Sequence, residues 1–384
     1  MTSVKPLSTA LIPYDPRLPH VAIRAGLENV VDEVCRRSLP PHLTPQTVQE
    51  ARTRRLDQIL PRLTGTYSVG RSNFLIDGPQ KGDHKIGVEL YVPTQAKAGT
   101  LTHLEFPERD LATFLSPEQL NTLYTHSIDQ IEPIEKKPVL VFSHGLGVNP
   151  AEYRLLLEEL ASHGYVVCNL NHPSSSGYAP FSKETLKDLG IDLRELDCSD
   201  HKSFLAQLER LVLMQEENIH FVVEQIRAGN GELGKRLDEI VQRDQIVLAG
   251  HSLGGAASTR VAQTDPRIAA CVNVDGALMG EIRDRRTQGL TMPLLMIFAD
   301  HLKDQHQGSE EEQEQCKVYH EDWMTLQQNS KSSSISRIEG TNHMDFCITP
   351  ILNWLIGDDA MSKNALKAHQ VASEAMVRFL SLSG

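Results

Sequence analysis

Residues 246–257 read IVLAGHSLGGAA, and this short stretch admits few local geometries. The apolar run from Ile246 to Ala249 has the content of a buried strand and stops at Gly250. Small, helix-compatible residues follow from Leu253 onward. Between strand and helix stand Gly250, Ser252 and Gly254, a G-x-S-x-G in the setting that a nucleophile elbow needs. Such a turn is tight, and side chains at the two glycine positions would meet the neighbouring strand and helix. The geometry lifts the Ser252 hydroxyl clear of the sheet edge, where a carbonyl can reach it.

Other strands surround this one. Apolar runs at 138–142, 165–170, 245–249, 268–274 and 293–299, with a short strand at 335–339, alternate with helical patterns. Asn149, Pro150 and Glu152 form a cap, a first-turn proline and an N3 acid for a helix ending at Gly164. Helical periodicity follows at 203–228, 233–242 and 253–263. Two helices, about 345–356 and 363–381, close the chain. Continuous apolar strands separated by helices predict a mostly parallel sheet covered on both faces, and the elbow within it points to an α/β-hydrolase fold. Residues 65–94 read as a strand meander of GTYSVG, SNFLID and VELYVP. Residues 1–64 form an N-terminal helical arm, with Thr44 and Pro45 starting a helix that runs to about Leu60. The catalytic domain is then 65–384. Two cap-like inserts interrupt it at about 102–130 and 172–200, the first with a capping box at Ser116, Pro117 and Gln119.

Composition narrows the function. The 384 residues are 40% hydrophobic, ample for a large core, and carry a formal net charge of −12. That charge argues against a nucleic-acid surface and against electrostatic docking on anionic membranes. The six cysteines, at 35, 168, 198, 271, 316 and 347, include no C-x-x-C pair. Cys168 and Cys271 sit in strand-like runs as buried thiols, which favours a reducing compartment over a disulfide framework. The proline-bearing N-terminus lacks a signal-peptide pattern, and no apolar stretch reaches the length of a bilayer span. A soluble, cytoplasmic protein is expected. His301, His306 and His320 lie in a polar segment at 301–331, but their irregular spacing reads as a solvated loop and helix rather than a metal site.

A serine hydroxyl needs a base, and the base needs an orienting carboxylate. In α/β-hydrolases these follow the serine in the order acid, then histidine, on loops at the carboxyl ends of strands. His343, in EGTNHMDF after the last strand, fits the base. Two aspartates qualify as the acid: Asp275 ends IAACVNVD and Asp300 ends PLLMIFAD. Spacing alone does not choose between them. An oxyanion hole needs two backbone N–H groups. Leu253, directly after the serine, supplies one, and the HGLG turn at His144 to Gly147 supplies the other.

Together these segments resemble the plasma-type platelet-activating factor acetylhydrolases, also called lipoprotein-associated phospholipases. The matching pieces are GTYSVG at 65–70, VFSHGLG at 141–147, LASHGYVV at 160–167, GHSLGGAA at 250–257, VNVDG at 272–276 and IEGTNHMDF at 338–346. The similarity covers roughly 65–350. It implies that the acid is Asp275, after the strand that directly follows the elbow, and that the oxyanion amides are those of Leu146 and Leu253. It implies hydrolysis of short or oxidised acyl chains of phospholipids, with no metal or other cofactor. The partner is then a small-molecule or lipid ester, met through transient lipid contact without stable membrane insertion. The chain departs from lipoprotein-bound members in its low aromatic content, 5%, and in charged inserts at 108–126 and 176–200. Asp300 also stands where the family usually lacks an aspartate. Two other readings remain: a general carboxylesterase or polyester-type hydrolase using the same residues, and a non-catalytic interaction protein on a hydrolase fold.

Overall fold

The computed structural model describes residues 60–80, 84–96, 99–103, 124–132, 134–173, 175, 201–278, 284–300, 310–348 and 359–383. The expected arm helix before Leu60, the Ser116 capping box and most of both inserts lie outside these residues.

Ten strands form one sheet in the order β10-β9-β8-β7-β5-β6-β2-β1-β4-β3. Six of them form a contiguous parallel run: β5 (Lys137–Ser143), β6 (Val166–Asn171), β7 (Val241–His251), β8 (Ala270–Val274), β9 (Leu294–Phe298) and β10 (Ser333–Arg337). The hairpin of β1 (Ser68–Asp77) and β2 (Lys85–Thr94) extends the sheet antiparallel beyond β6. Beyond it lie β4 (Tyr124–Ile128) and β3 (Leu101–His103).

Alternate strand side chains enter two apolar layers, as expected of a sheet buried on both faces. Val139, Val141, Ile246 and Leu248 pack on one side with α2 (His201–Ala228), α3 (Gly231–Leu237) and α4 (Leu253–Thr264). Leu140, Phe142, Val247 and Ala249 pack on the other with α1 (Arg154–Ser162) and α6 (Asp359–Ser383). A further helix among the described residues, α5 (Glu310–Asn329), leads into β10. Among the described residues no helix is long and apolar enough to cross a membrane.

Four expectations need correction. GTYSVG and SNFLID belong to one strand, so the meander is a two-stranded hairpin. Arg71, between the two segments, stays inside that strand with its guanidinium neutralised by Glu89 at 2.6 Å. The helix expected over 233–242 stops at Leu237, and β7 begins at Val241. The last strand lies two residues earlier than read, at Ser333–Arg337. The closing helix expected from 345 begins as a 3-10 turn, His343–Phe346, and 349–358 lie outside the described residues.

Candidate active site

The strand β7 ends at His251, and Ser252 turns the chain into α4 with φ 54° and ψ −120°. This left-handed backbone is costly for any residue with a Cβ. The flanking glycines are required by contact: a Cβ on Gly250 would lie 2.3 Å from the Gly254 carbonyl oxygen, and one on Gly254 would lie 2.1 Å from that of Ser143. The Ser252 amide donates to the Val274 carbonyl at 2.9 Å, which ties the turn to β8.

Asp275 follows β8 directly, also with a positive φ, 52°. Its amide donates to Ile297 O at 2.7 Å, and Oδ1 accepts from the Ala299 amide at 3.1 Å. The side chain is fully buried. Oδ2 lies 2.6 Å from His343 Nδ1, and His343 Nε2 lies 2.9 Å from Ser252 Oγ. A carboxylate only accepts, so Nδ1 carries the ring hydrogen and Nε2 is free to accept from the serine hydroxyl. Among the described residues, Ser252 and Asp275 are the non-glycine residues with positive φ.

His343 opens the 3-10 turn and is presented by its cap. Asn342 accepts from Met344 N at 3.0 Å, and Asp345 accepts from Asn342 N at 2.8 Å. Burial raises the Asp345 carboxyl to about 6. Asp300 meets the same loop elsewhere. Its carboxylate accepts from the Arg337 guanidinium and from Gly340 N at 2.9 Å, while its own amide donates to Thr341 O at 3.0 Å. The two candidate acids therefore have different partners: Asp275 meets the imidazole, and Asp300 grips the backbone leading to it.

The turn after β5 faces the elbow. Gly145 N donates to Tyr153 Oη at 3.1 Å, Gly147 N to Ser175 O at 2.7 Å, and Val148 N to Gly145 O at 3.4 Å. Among the described residues the Leu146 amide donates to no protein acceptor. The Leu253 amide begins α4 and has no acceptor within its helix. These are the two N–H groups expected to face a developing oxyanion.

Sequence reasoning gave no role to the buried polar residues behind this turn. Gln215 donates to His144 O at 3.2 Å and to Ser175 Oγ at 2.8 Å. Asn218 lies 3.2 Å from His172 Nδ1, and His172 Nε2 lies 3.0 Å from Ser143 Oγ. Gln215 and Asn218 interrupt the otherwise apolar stripe of Leu211, Val212, Ile219 and Val222, which is the signal that would have found them. Burial lowers His144 to about 4 and holds His172 far below its ordinary value, so both rings are neutral. Among the described residues no group of three or more metal-ligating side chains is assembled; His301 and His306 lie outside them.

The profile of the family described as "Platelet-activating factor acetylhydrolase, isoform II" matches residues 53–383. The chain belongs to this family. The match is wider than the 65–350 expected and takes in the C-terminal helix. Relatives named platelet-activating factor acetylhydrolase include that of Canis lupus familiaris, 26% identical, and that of Bos taurus, 25% identical. Each alignment covers 63% of this chain, and the chain spans 60% of the length of each relative. A ferulic acid esterase from Streptomyces cinnamoneus superposes with a TM-score of 0.62 at 20% identity, over 84% of this chain and 92% of the esterase. The α/β-hydrolase architecture is common to both.

Proposed function

We propose that this protein is a serine esterase in which Ser252, His343 and Asp275 perform acyl transfer. The observation that carries the reading is the continuous contact from Asp275 Oδ2 through His343 to Ser252 Oγ, at 2.6 and 2.9 Å. Ser252 Oγ attacks the ester carbonyl carbon as its proton passes to His343 Nε2. Asp275 orients the ring and stabilises the imidazolium. The amides of Leu146 and Leu253 hold the oxyanion, each such donor lowering the barrier by roughly 3 kcal/mol. His343 then protonates the leaving alcohol, and water, deprotonated by His343, releases the acid from the acyl-enzyme.

The substrate class we propose is phospholipid esters with short or oxidised acyl chains, supported by the family and by the names of the relatives. No cofactor enters this chemistry. The second insert begins against the oxyanion turn, where Ser175 accepts from Gly147, and this supports its part in shaping the acyl site. The buried thiols of Cys168 and Cys271 support a reducing, cytoplasmic location.

Ser252→Ala is expected to lower kcat for p-nitrophenyl acetate on the order of 10⁶-fold and to abolish fluorophosphonate labelling. An unchanged rate defeats the reading. Comparing acyl lengths with and without a phosphocholine head group separates a phospholipase from a general carboxylesterase.

A further inference from the structure

Tyr153 and His251 are buried, and the mechanism above uses neither. Tyr153 ends the 3-10 turn Pro150–Tyr153, which the Asn149–Glu152 capping box fixes in place. Its Oη lies 3.1 Å from Gly145 N and 2.8 Å from His251 Nδ1. His251 Nε2 lies 3.0 Å from the backbone carbonyl oxygen of His343. The imidazole also packs against its neighbours at a tilt, with ring centroids 4.6 Å from His343, 5.5 Å from Tyr153 and 5.6 Å from Phe346.

Elementary hydrogen-bond chemistry gives these contacts one direction. A carbonyl only accepts, so His251 Nε2 carries the hydrogen. Burial keeps the ring neutral, lowering it to about 3, so Nδ1 is bare and accepts from the tyrosine O–H. The tyrosine oxygen in turn accepts from Gly145 N–H. The Cys347 thiol also lies against this hydroxyl. The run is therefore Gly145 N–H to Tyr153, Tyr153 O–H to His251, and His251 N–H to His343 O.

We propose that Tyr153 and His251 are positioning residues, a hydrogen-bonded strut that sets the oxyanion turn, the nucleophile and the base at fixed separations. The proposal rests on the serine-esterase reading. Gly145 precedes the Leu146 amide, His251 precedes Ser252, and the terminal acceptor belongs to His343 itself. The strut thus touches a neighbour or the backbone of each working part without meeting substrate. Space is tight where the parts converge: a Cβ on Gly145 would lie 3.1 Å from Ser252 Cβ, 3.2 Å from His251 Nδ1 and 3.3 Å from Tyr153 Oη. Loss of the strut should loosen the transition-state geometry and leave ground-state binding intact. Displacements near 1 Å carry rate losses of about 100-fold.

The test uses the full chain, p-nitrophenyl acetate, and kcat expressed per serine labelled to completion by a fluorophosphonate. Tyr153→Phe removes one oxygen and keeps the ring. We expect kcat to fall about 10- to 100-fold with KM within about 2-fold of wild type. His251→Gln keeps an N–H near the Nε2 position and should retain more kcat than His251→Leu. Combining Tyr153→Phe with His251→Leu should cost no more than His251→Leu alone, because both break one strut. A Tyr153→Phe enzyme with unchanged kcat per labelled serine overturns the proposal, even if its Tm falls, since Tyr153 is then only packing. Multiplying losses in the double variant overturn it as well. Should Tyr153→Phe fail to fold, the His251→Gln and His251→Leu comparison decides, and equal kcat in those two overturns the proposal. A wild-type chain that neither hydrolyses the ester nor labels at Ser252 refutes the esterase reading, and the strut falls with it. An active wild type with an indifferent Tyr153→Phe refutes the strut alone.

Discussion

Asp275 and Asp300 close adjacent parallel strands, and each sits almost out of solvent at the same rim of the sheet. Their surroundings differ. Asp275 leaves its strand with φ 52°, and its carboxylate meets the His343 imidazole and the Ala299 amide. Asp300 receives the Arg337 guanidinium and the Gly340 amide, and its own N–H holds Thr341. One aspartate touches the working ring, and the other anchors the loop that delivers it. A strand end supplies a carboxylate to the rim; the backbone angle there and the path of the next loop decide what that carboxylate does.

Substituting the acids one at a time is the sharpest way to break this contrast. Asp275→Asn is expected to lower kcat about 10⁴-fold, because the amide favours the wrong tautomer of His343. Asp300→Asn should lower kcat by about 10-fold or less and reduce Tm by a few degrees, through loss of the Arg337 pair and a looser 337–341 stretch. Equal kinetic losses in the two variants would erase the distinction, and thermal melts beside steady-state kinetics measure both halves of it.

A third aspartate refines the comparison at smaller scale. Burial raises Asp345 from 3.8 to about 6. A carboxyl with a raised folded-state value binds its proton more tightly in the native chain. Its contribution is therefore full below about pH 4 and is lost as pH rises through about 6. Asp345→Asn keeps an oxygen to accept from Asn342 and removes the buried charge. The variant should melt slightly above wild type at pH 7.5, with the gap closing as pH falls toward 4.5. A gap that widens toward acid would contradict the assignment.

The elbow, its two glycines, the Asn149–Glu152 box and the parallel strands were legible because each rests on local chemistry: apolar runs, backbone contact and capping. The two acids were not separable by that means, since each closes an equally apolar strand and only three-dimensional partners tell them apart. That GTYSVG and SNFLID make one strand was not legible, since the partner that lets Arg71 lie buried between them, Glu89, sits on the neighbouring strand. The early start of β7 was hidden likewise, because its first half carries exposed polar residues that resemble the end of a helix. Tyr153 and His251 gave no signal along the chain, as their partners lie 98 residues apart.

Among the described residues the unfavourable left-handed backbone falls, glycines aside, on Ser252 and Asp275 alone. Glycine at either site would relieve that conformation while deleting the hydroxyl or carboxylate the chemistry uses. Selecting variants of this chain for heat resistance alone would therefore enrich inactive proteins, and any such campaign must score turnover alongside survival.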